Sequence, residues 1–468
     1  MADVLIVGAG SAGSVLAERL SADGSCQVTV VEAGPGPSDP RVASQIRDAL
    51  RLPIGVASEL VRRYPSALTD APRRYTQLMR GQVVGGSGAV NGGYFCRALP
   101  SDVDAWGIDG WTWDEVLPHF RAIETDLDFA GPLHGSDGPI SVRRVAEFNG
   151  CTASFVEAAR HAGFDWIDDL NGSTPEHPLL PGVGAVPLNI DRGTRVGPGG
   201  AFLQPALGRP NLTVRTDTRV VRLRLAGERV IAVDCVGPAG AVSLSADRVV
   251  VCAGAIATAQ LLMVSGVGPE PVLRAAGVPV TRNLPVGVDT VDHPEWVLPV
   301  TWQATDGVPP LEAVLTTADG MEMRPYTAGF GAMTTGRRDD PTDRPHLGVA
   351  LMRPRSRGRI RIVSPDPDTD PLIEHRYDSA PADVELLREG ARLASELAGA
   401  TLQSEEVWST SQHLCGTAKM GAVVDGRCRV YGVQNLWVVD GSILPNIPGR
   451  GPHATIAMAG HRAAEFVS

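Results

Sequence analysis

DVLIVGAGSAGSVLAERL (residues 3–20), followed by VTVVE (28–32), decides the fold. Residues 3–7 are an apolar run ending at glycine, the pattern of a buried strand. A helical pattern follows from Ala12 to about Ala22, and a second strand, Val28–Val31, ends in Glu32. Strand, helix and strand in this order imply a parallel sheet. Gly8, Gly10 and Gly13 form G-x-G-x-x-G, with Ser11 and Ala12 as its variable positions. The first glycine makes a tight turn, the second lets a pyrophosphate approach the backbone, and the third lets helix and strand pack closely. The helix N-terminus then turns amide groups toward the phosphates. Glu32 stands where a carboxylate holds a ribose hydroxyl pair and disfavours a 2′-phosphate. The motif predicts a dinucleotide and disfavours NADP, but does not separate FAD from NAD.

The composition narrows the class. The chain has 468 residues, 43% hydrophobic and 20% charged, long enough for two or three domains or one interleaved fold. Its 53 glycines and 37 prolines are spread along the chain, which argues for many tight turns and against disorder. The net charge of −11 leaves no broad basic face for nucleic acid or anionic lipid. Lys419 is the only lysine among 42 basic residues. Seven cysteines without a C-x-x-C pair argue against a disulfide framework and a zinc site, so no metal is expected and a reducing cytoplasm fits. The opening residues read as a strand, so no secretory signal is expected. The uncharged run Val249–Gly268 reads as a buried strand followed by a buried helix, not as a membrane span.

Working outward, residues 35–80 have weak periodicity and read as loop and short helix. Residues 81–93 are a glycine-dense turn region, and a helix is expected after Thr112. The runs Thr213–Thr216, Val220–Leu225, Val230–Cys235 and Val242–Leu244 read as an antiparallel meander feeding a buried strand at Val249–Cys252. Residues 294–364 are strand-rich, 383–398 carry a helical period, and the tail offers a strand at Leu436–Val439 and a helix from about His453 to Val467. The fold class expected is α/β (α+β overall): a Rossmann-like FAD-binding domain interleaved with an antiparallel-sheet substrate domain. The expected boundaries are 1–145, 190–290 and 408–468 for the first and 146–189 and 291–407 for the second.

Five further motifs, in order, carry a family resemblance. They are Gly81–Asn91, Gly254–Gly268, Ser356-Arg-Gly-Arg359 with Ser364-Pro-Asp-Pro367, His413-Leu-Cys-Gly-Thr-Ala-Lys-Met-Gly421, and Leu436–Ser442 with His453-Ala-Thr455. Together with the first motif they resemble the glucose–methanol–choline (GMC) oxidoreductases over essentially the whole chain. The resemblance implies FAD and oxidation of an alcohol CH–OH group by hydride transfer to the flavin. Histidine suits the base that takes the hydroxyl proton. The resemblance gives that role to His413 and the binding of the substrate oxygen to His453, with Asn91 near the flavin. It implies further cofactor contacts at Ser11, Ala12, Ala33, Gly86, Asn91, Gly92, Val220, Ala253, Asp440, Gly441, Ala454 and Thr455. Asp440 is expected to take a ribityl hydroxyl. Asp292-His293-Pro294 is another family feature, read as structural.

The sequence departs from the family pattern at Gln82, Ala259 and Val90. Some members carry a flavin-bound histidine at the position of Val90, so FAD is expected to be non-covalent. Lys419 and Arg450 read as solvated or structural cations and Cys415 as a packing residue. Residues 88–97 and 120–129, with the short chain, resemble the mycofactocin-associated subgroup. That implies mycofactocinol as substrate and a respiratory electron acceptor, reached by transient protein or membrane association from a cytoplasmic location or the inner membrane face. A GMC oxidase or dehydrogenase of a small free alcohol is the alternative, followed by a flavin-containing hydroxynitrile lyase.

Overall fold

Two sheets set the site between them. The computed structural model describes residues 2–40, 42–338, 340–399 and 407–467. The ends of the expected cofactor-binding segments, Met1 and Ser468, and residues 400–406 of the second expected domain lie outside these. The first sheet is five-stranded, in the order 212–215, 28–31, 2–7, 246–251, 436–438, and parallel throughout. Helix Ser11–Ser21 follows the central strand, as the opening motif predicts. Val4, Ile6, Val30 and Val250 are fully buried, in a core shared with Val15 and Leu16 of the first helix and Val230 and Val233 of the meander strand 229–237.

The three glycines of the motif act differently. Gly8 has φ of +99°, and a Cβ there would lie 2.5 Å from the Cys252 carbonyl oxygen. At Gly10 a Cβ would meet nothing closer than 3.9 Å, so the space in front of it is open to a ligand. A Cβ at Gly13 would lie 2.0 Å from the Gly8 carbonyl oxygen, so this glycine exists for packing. Helix His453–Val467 crosses the first helix at similarly close range: a Cβ at Gly460 would lie 2.6 Å from the Ala12 carbonyl oxygen.

The second sheet is seven-stranded, in the order 408–410, 294–299, 346–351, 321–326, 313–316, 182–185, 166–167. All its pairs are antiparallel except the last, which is parallel. One face packs Leu315, Met321, Met323 and Val349 against Phe155 of helix Gly150–His161 and Leu387 of helix Pro381–Ala398. Alternation turns Glu322, Arg324 and Tyr326 to the other face.

Two readings need correction. Residues 35–80 hold two strands, Val61–Ala67 and Tyr75–Gly81, which join Arg359–Arg361 and Leu372–Glu374 in a four-stranded sheet. Arg62, Arg63, Pro65 and Arg80 break their apolar alternation, and the other two strands of the sheet lie some 300 residues away in sequence. The segment read as Thr213–Thr216 is not part of the meander. It is the edge strand Leu212–Arg215 of the parallel sheet, and the chain turns at Asp217, whose φ is +50°. The meander itself has three strands, 219–226, 229–237 and 240–244. Val249–Gly268 does split into the strand Ala246–Val251 and the helix Ala255–Val264. Among the described residues no helix is long and apolar enough to cross a membrane.

Gly13→Ala is expected to destabilise the protein by roughly 1–3 kcal/mol through overpacking, with a parallel loss of bound FAD, measured by chemical unfolding and flavin content. Wild-type values in both would show that the helix has room to shift.

Candidate active site

The motif loop, the glycine-rich turn and the two C-terminal histidine segments surround one cleft of about 450 Å³. It runs from Glu32, Ala33 and Val220 past Gly8, Gly10, Ser11, Ala12 and Gly86 to Asn91, Gly92, Ala253, Asp440, Gly441, His413 and His453. Gly13, Ala454 and Thr455 stand behind its wall. Gly13 seals helix to strand, and the other two are buried in the first turn of the last helix.

The dinucleotide end is built from the backbone. Glu32 is buried and accepts the Ala9 and Gly34 N–H groups at 2.8 and 2.9 Å. Burial pushes its carboxyl up to about 7 against the pull of these bonds. A β-bulge at Val220–Arg222 interrupts the meander beside the cleft. Asp440 accepts the Gly254 N–H at 2.8 Å, the Thr258 hydroxyl at 2.6 Å, and both the N–H and the hydroxyl of Ser442. Its carboxylate ties a strand end to a helix start and is occupied by the protein. That leaves the backbone of Asp440–Gly441, not the carboxylate, to face the cleft.

The chemical end is built around Asp292. Its Oδ1 accepts the backbone N–H groups of His293 and His413, both at 2.8 Å. Its Oδ2 accepts the hydroxyls of Thr410 and Tyr377 at 2.7 and 2.9 Å. Gln412, one residue before His413, has φ of +63°, a strained conformation for a side-chain-bearing residue. The strained turn and the carboxylate together aim His413.

Ring against ring, His413 Nδ1 lies 2.9 Å from His293 Nδ1, and His293 Nε2 lies 3.1 Å from the Pro448 carbonyl oxygen. A carbonyl only accepts, so His293 Nε2 carries hydrogen. Burial, with Arg324 as a second cause, lowers His293 to about 4, so the ring is neutral and its Nδ1 accepts. His413 Nδ1 is therefore the donor, and His413 Nε2 is left as a bare lone pair. Burial first, then His293, Arg324, Arg80 and His453, hold His413 well below the usual histidine value, so the lone pair persists at neutral pH.

His453 reaches the cleft from the last helix. Its Nδ1 lies 3.2 Å from Ser11 Oγ, and its Nε2 is buried without a partner. Burial lowers it to about 4. A Cβ at Gly88 would lie 2.6 Å from its ring, so only glycine leaves room for it. Asn91 Oδ1 accepts the Gly93 N–H at 3.0 Å, which leaves its NH₂ as the remaining polar group.

Sequence reasoning missed three residues here. His293 was read as structural, yet it fixes the tautomer of His413. Buried Arg195 donates to the carbonyls of Ile46, Arg51, Ala89 and Asn91 and clamps the Asn91 loop. Arg324 lines the cleft from the second sheet. No local pattern marks any of them, since the contacts that place them in the site reach residues distant in sequence. Arg450 pairs with Glu322 at 2.8 Å, Lys419 donates to the Asp289 carbonyl at 2.7 Å, and burial pushes the Cys415 thiol up, so these read as structural.

Orphaned polar atoms at His453 Nε2 and Arg80 Nη2, which line the cleft, with the open space before Gly10, fit a bound dinucleotide cofactor. Among the described residues, Glu124, Asp126 and His134 bring ligand atoms within 4.8 Å of one another. Arg97 pairs with Glu124, Arg144 with Asp126 at 2.8 Å, and His134 bonds Asp126 and Asp169, each at 3.0 Å. The charges are already matched, so the cluster is an ion network.

Comparison with known proteins agrees with this geometry. Models of the GMC oxidoreductase family match residues 2–295 and 354–460. The chain is 41% identical to an uncharacterized GMC-type oxidoreductase of Rhodococcus erythropolis, over all of this chain and 98% of that protein. It is 31% identical to an oxygen-dependent choline dehydrogenase of Photobacterium profundum, over 99% of this chain and 92% of that one. Pyridoxine 4-oxidase from Mesorbium loti superposes with a TM-score of 0.88 at 29% identity, covering 99% of each chain.

The ion network makes stability depend on pH. Burial works to lower His134, but Asp126 and Asp169 outweigh it and raise the ring to about 9. Its contribution is full below the ordinary 6.5 and lost as pH rises through 9. Burial works to raise Asp126, yet His134 and Arg144 bring it down to about 2, so its share is lost only in strong acid. Unfolding free energy measured against pH should fall between 6.5 and 9, and His134→Gln should flatten that fall. An unchanged slope in the variant would remove His134 as its source.

Proposed function

The chain belongs to the GMC oxidoreductase family and is an FAD-dependent oxidoreductase acting on alcohols, and on that premise we propose how its own residues work. FAD, when bound, supplies the hydride acceptor. His413 Nε2 is the base that takes the hydroxyl proton. The observation that carries this is the chain from the Pro448 carbonyl through His293, which leaves that nitrogen unprotonated. As the proton arrives, His413 becomes cationic while its Nδ1–H stays bonded to His293. His453 donates from Nε2 to the substrate oxygen while Ser11 bonds its other nitrogen, and the Asn91 NH₂ assists. The Ser11–Gly13 helix start, Gly86, Gly92, Ala253 and the Asp440–Gly441 backbone hold the cofactor, with Glu32 toward the ribose. Val90 offers no nucleophile, so the flavin is held without a covalent bond. Residues 1–145, 190–290 and 408–468 form the cofactor-holding part, and 146–189 with 291–407 the substrate-holding part.

The donor in this reading is mycofactocinol, oxidised to mycofactocinone, with electrons passed to a respiratory carrier. The stretches 88–97 and 120–129 support it. A small free alcohol is the second reading, favoured by the names of the choline dehydrogenase and pyridoxine oxidase relatives.

Anaerobic stopped-flow flavin reduction tests both levels. His413→Ala should keep its FAD and be slowed roughly 10²–10⁴-fold, the scale of a lost general base. Reduction at the wild-type rate would refute the role of His413. The wild-type rate should stay flat from alkaline pH down through 6.5 and fall only in more acid solution, because the base must be unprotonated. Mycofactocinol should reduce the flavin faster than choline, methanol or glucose, and respiratory membranes should speed reoxidation. Fast reduction by a small alcohol, with stoichiometric peroxide and no effect of membranes, would favour the second reading.

A further inference from the structure

The wall of the cleft beside His413 carries a buried charge cluster that the proton-transfer chemistry does not use. On strand Met321–Tyr326, Glu322 and Arg324 stand on the sheet face toward the cleft, Arg324 lining it and Glu322 buried behind, and Glu295 joins them from strand Pro294–Pro299. The three residues are 0%, 4% and 3% exposed. Gly348 makes the room, since a Cβ there would lie 2.1 Å from Glu295 Oε1.

Both carboxylates are closed. Glu322 accepts Arg324 Nε at 2.7 Å, with Arg450 Nη1 and the Tyr94 hydroxyl both at 2.8 Å. Glu295 accepts Arg324 Nη1 at 3.1 Å, the Ser411 hydroxyl at 2.6 Å and the Tyr326 hydroxyl at 3.2 Å. Two arginines balance two glutamates, so the cluster is neutral. Of the four, Arg324 is the one that lines the cleft, and it is close enough to lower both His293 and His413. A second cation, Arg80, lines the same cleft with its Nη2 buried and unpartnered. The carboxylate acting on Arg80 most strongly is Asp292, which four donors already engage.

A quaternary ammonium has no N–H to share and is held by an uncompensated carboxylate or an aromatic cage. This wall presents no uncompensated carboxylate; Tyr94 and Tyr326 line it too, but each is tied by its hydroxyl to Glu322 or Glu295 beside Arg324, and like charge at short range is repelled. We propose that Arg324 is a specificity-determining residue that keeps cationic alcohols out by closing both carboxylates, so that the enzyme takes an alcohol without a cationic group. This rests on the reading of the His413 cleft as the alcohol site. It separates this protein from relatives named for choline, itself a quaternary ammonium alcohol.

The test compares choline with its carbon isostere, in which tert-butyl replaces trimethylammonium, so that only the charge differs. Each is titrated anaerobically into holoenzyme, and affinity is read from perturbation or reduction of the flavin spectrum. Wild type should prefer the neutral isostere by at least about tenfold. Arg324→Gln, which leaves Glu295 and Glu322 undercompensated, should gain at least about tenfold for choline. If Arg324→Gln does not retain FAD, Glu295→Gln replaces it: the cluster then turns net positive and should bind an anionic probe, the carboxylate in which –COO⁻ replaces the –CH₂OH of the tert-butyl isostere, at least about tenfold tighter than wild type. A wild-type preference for choline overturns the proposal. So does an FAD-loaded Arg324→Gln without the choline gain, or an Glu295→Gln without the carboxylate gain. Binding without flavin reduction by any alcohol would instead count against the proposed oxidation and leave the charge preference readable.

Discussion

The carboxylate of Asp292 is the point on which the chemical end of this protein depends. One oxygen holds the backbone of both His293 and His413, and the other holds Thr410 and Tyr377. Hydrogen bonds to a buried charge are worth about 1.5–3 kcal/mol each, so this group can pin a strained turn. Gln412 at φ +63° is that turn. With the two backbones fixed, the two rings meet edge to face, and the Pro448 carbonyl decides which nitrogen of each carries hydrogen. A basic lone pair follows from a neutral carbonyl two hydrogen bonds away, without any carboxylate against the base.

The cofactor end relies on close approach instead of charge. Gly13 against Gly8 and Gly460 against Ala12 let strand and helices come together. The same crossing carries His453 to Ser11, so the second histidine is placed by the packing that forms the dinucleotide site. The two ends are thus linked mechanically. A larger residue at the crossing would displace the His453 side chain as well as the glycine-rich loop.

What the sequence revealed follows the range of the interactions. The opening strand–helix–strand, the final helix and the split of Val249–Gly268 rest on local periodicity and glycine placement, and the structure has them where the pattern puts them. Strands Val61–Ala67 and Tyr75–Gly81 were invisible because arginines and a proline sit in them and their sheet closes on Leu372–Glu374. The edge strand Leu212–Arg215 was given to the wrong sheet because a single left-handed residue, Asp217, separates it from the meander. His413 and His453 stand in recognisable motifs. The partners that tune them, His293, Arg324 and Ser11, act from 120, 89 and 442 residues away, where no window reaches. Asp440 was expected to serve the ligand because it lies in a cofactor motif, but its four protein donors show that a motif position does not reveal which way a side chain is used.

The protonation state of His413 tests the account most directly. In protein labelled with ¹⁵N at histidine rings, the nitrogen shifts of His413 at neutral pH, assigned by comparison with His413→Ala, report the tautomer. The account predicts a protonated Nδ1 and a bare Nε2, with His293 protonated at Nε2. A His413 ring protonated at Nε2, or at both nitrogens, would contradict it, because the cleft would then present no base to an alcohol.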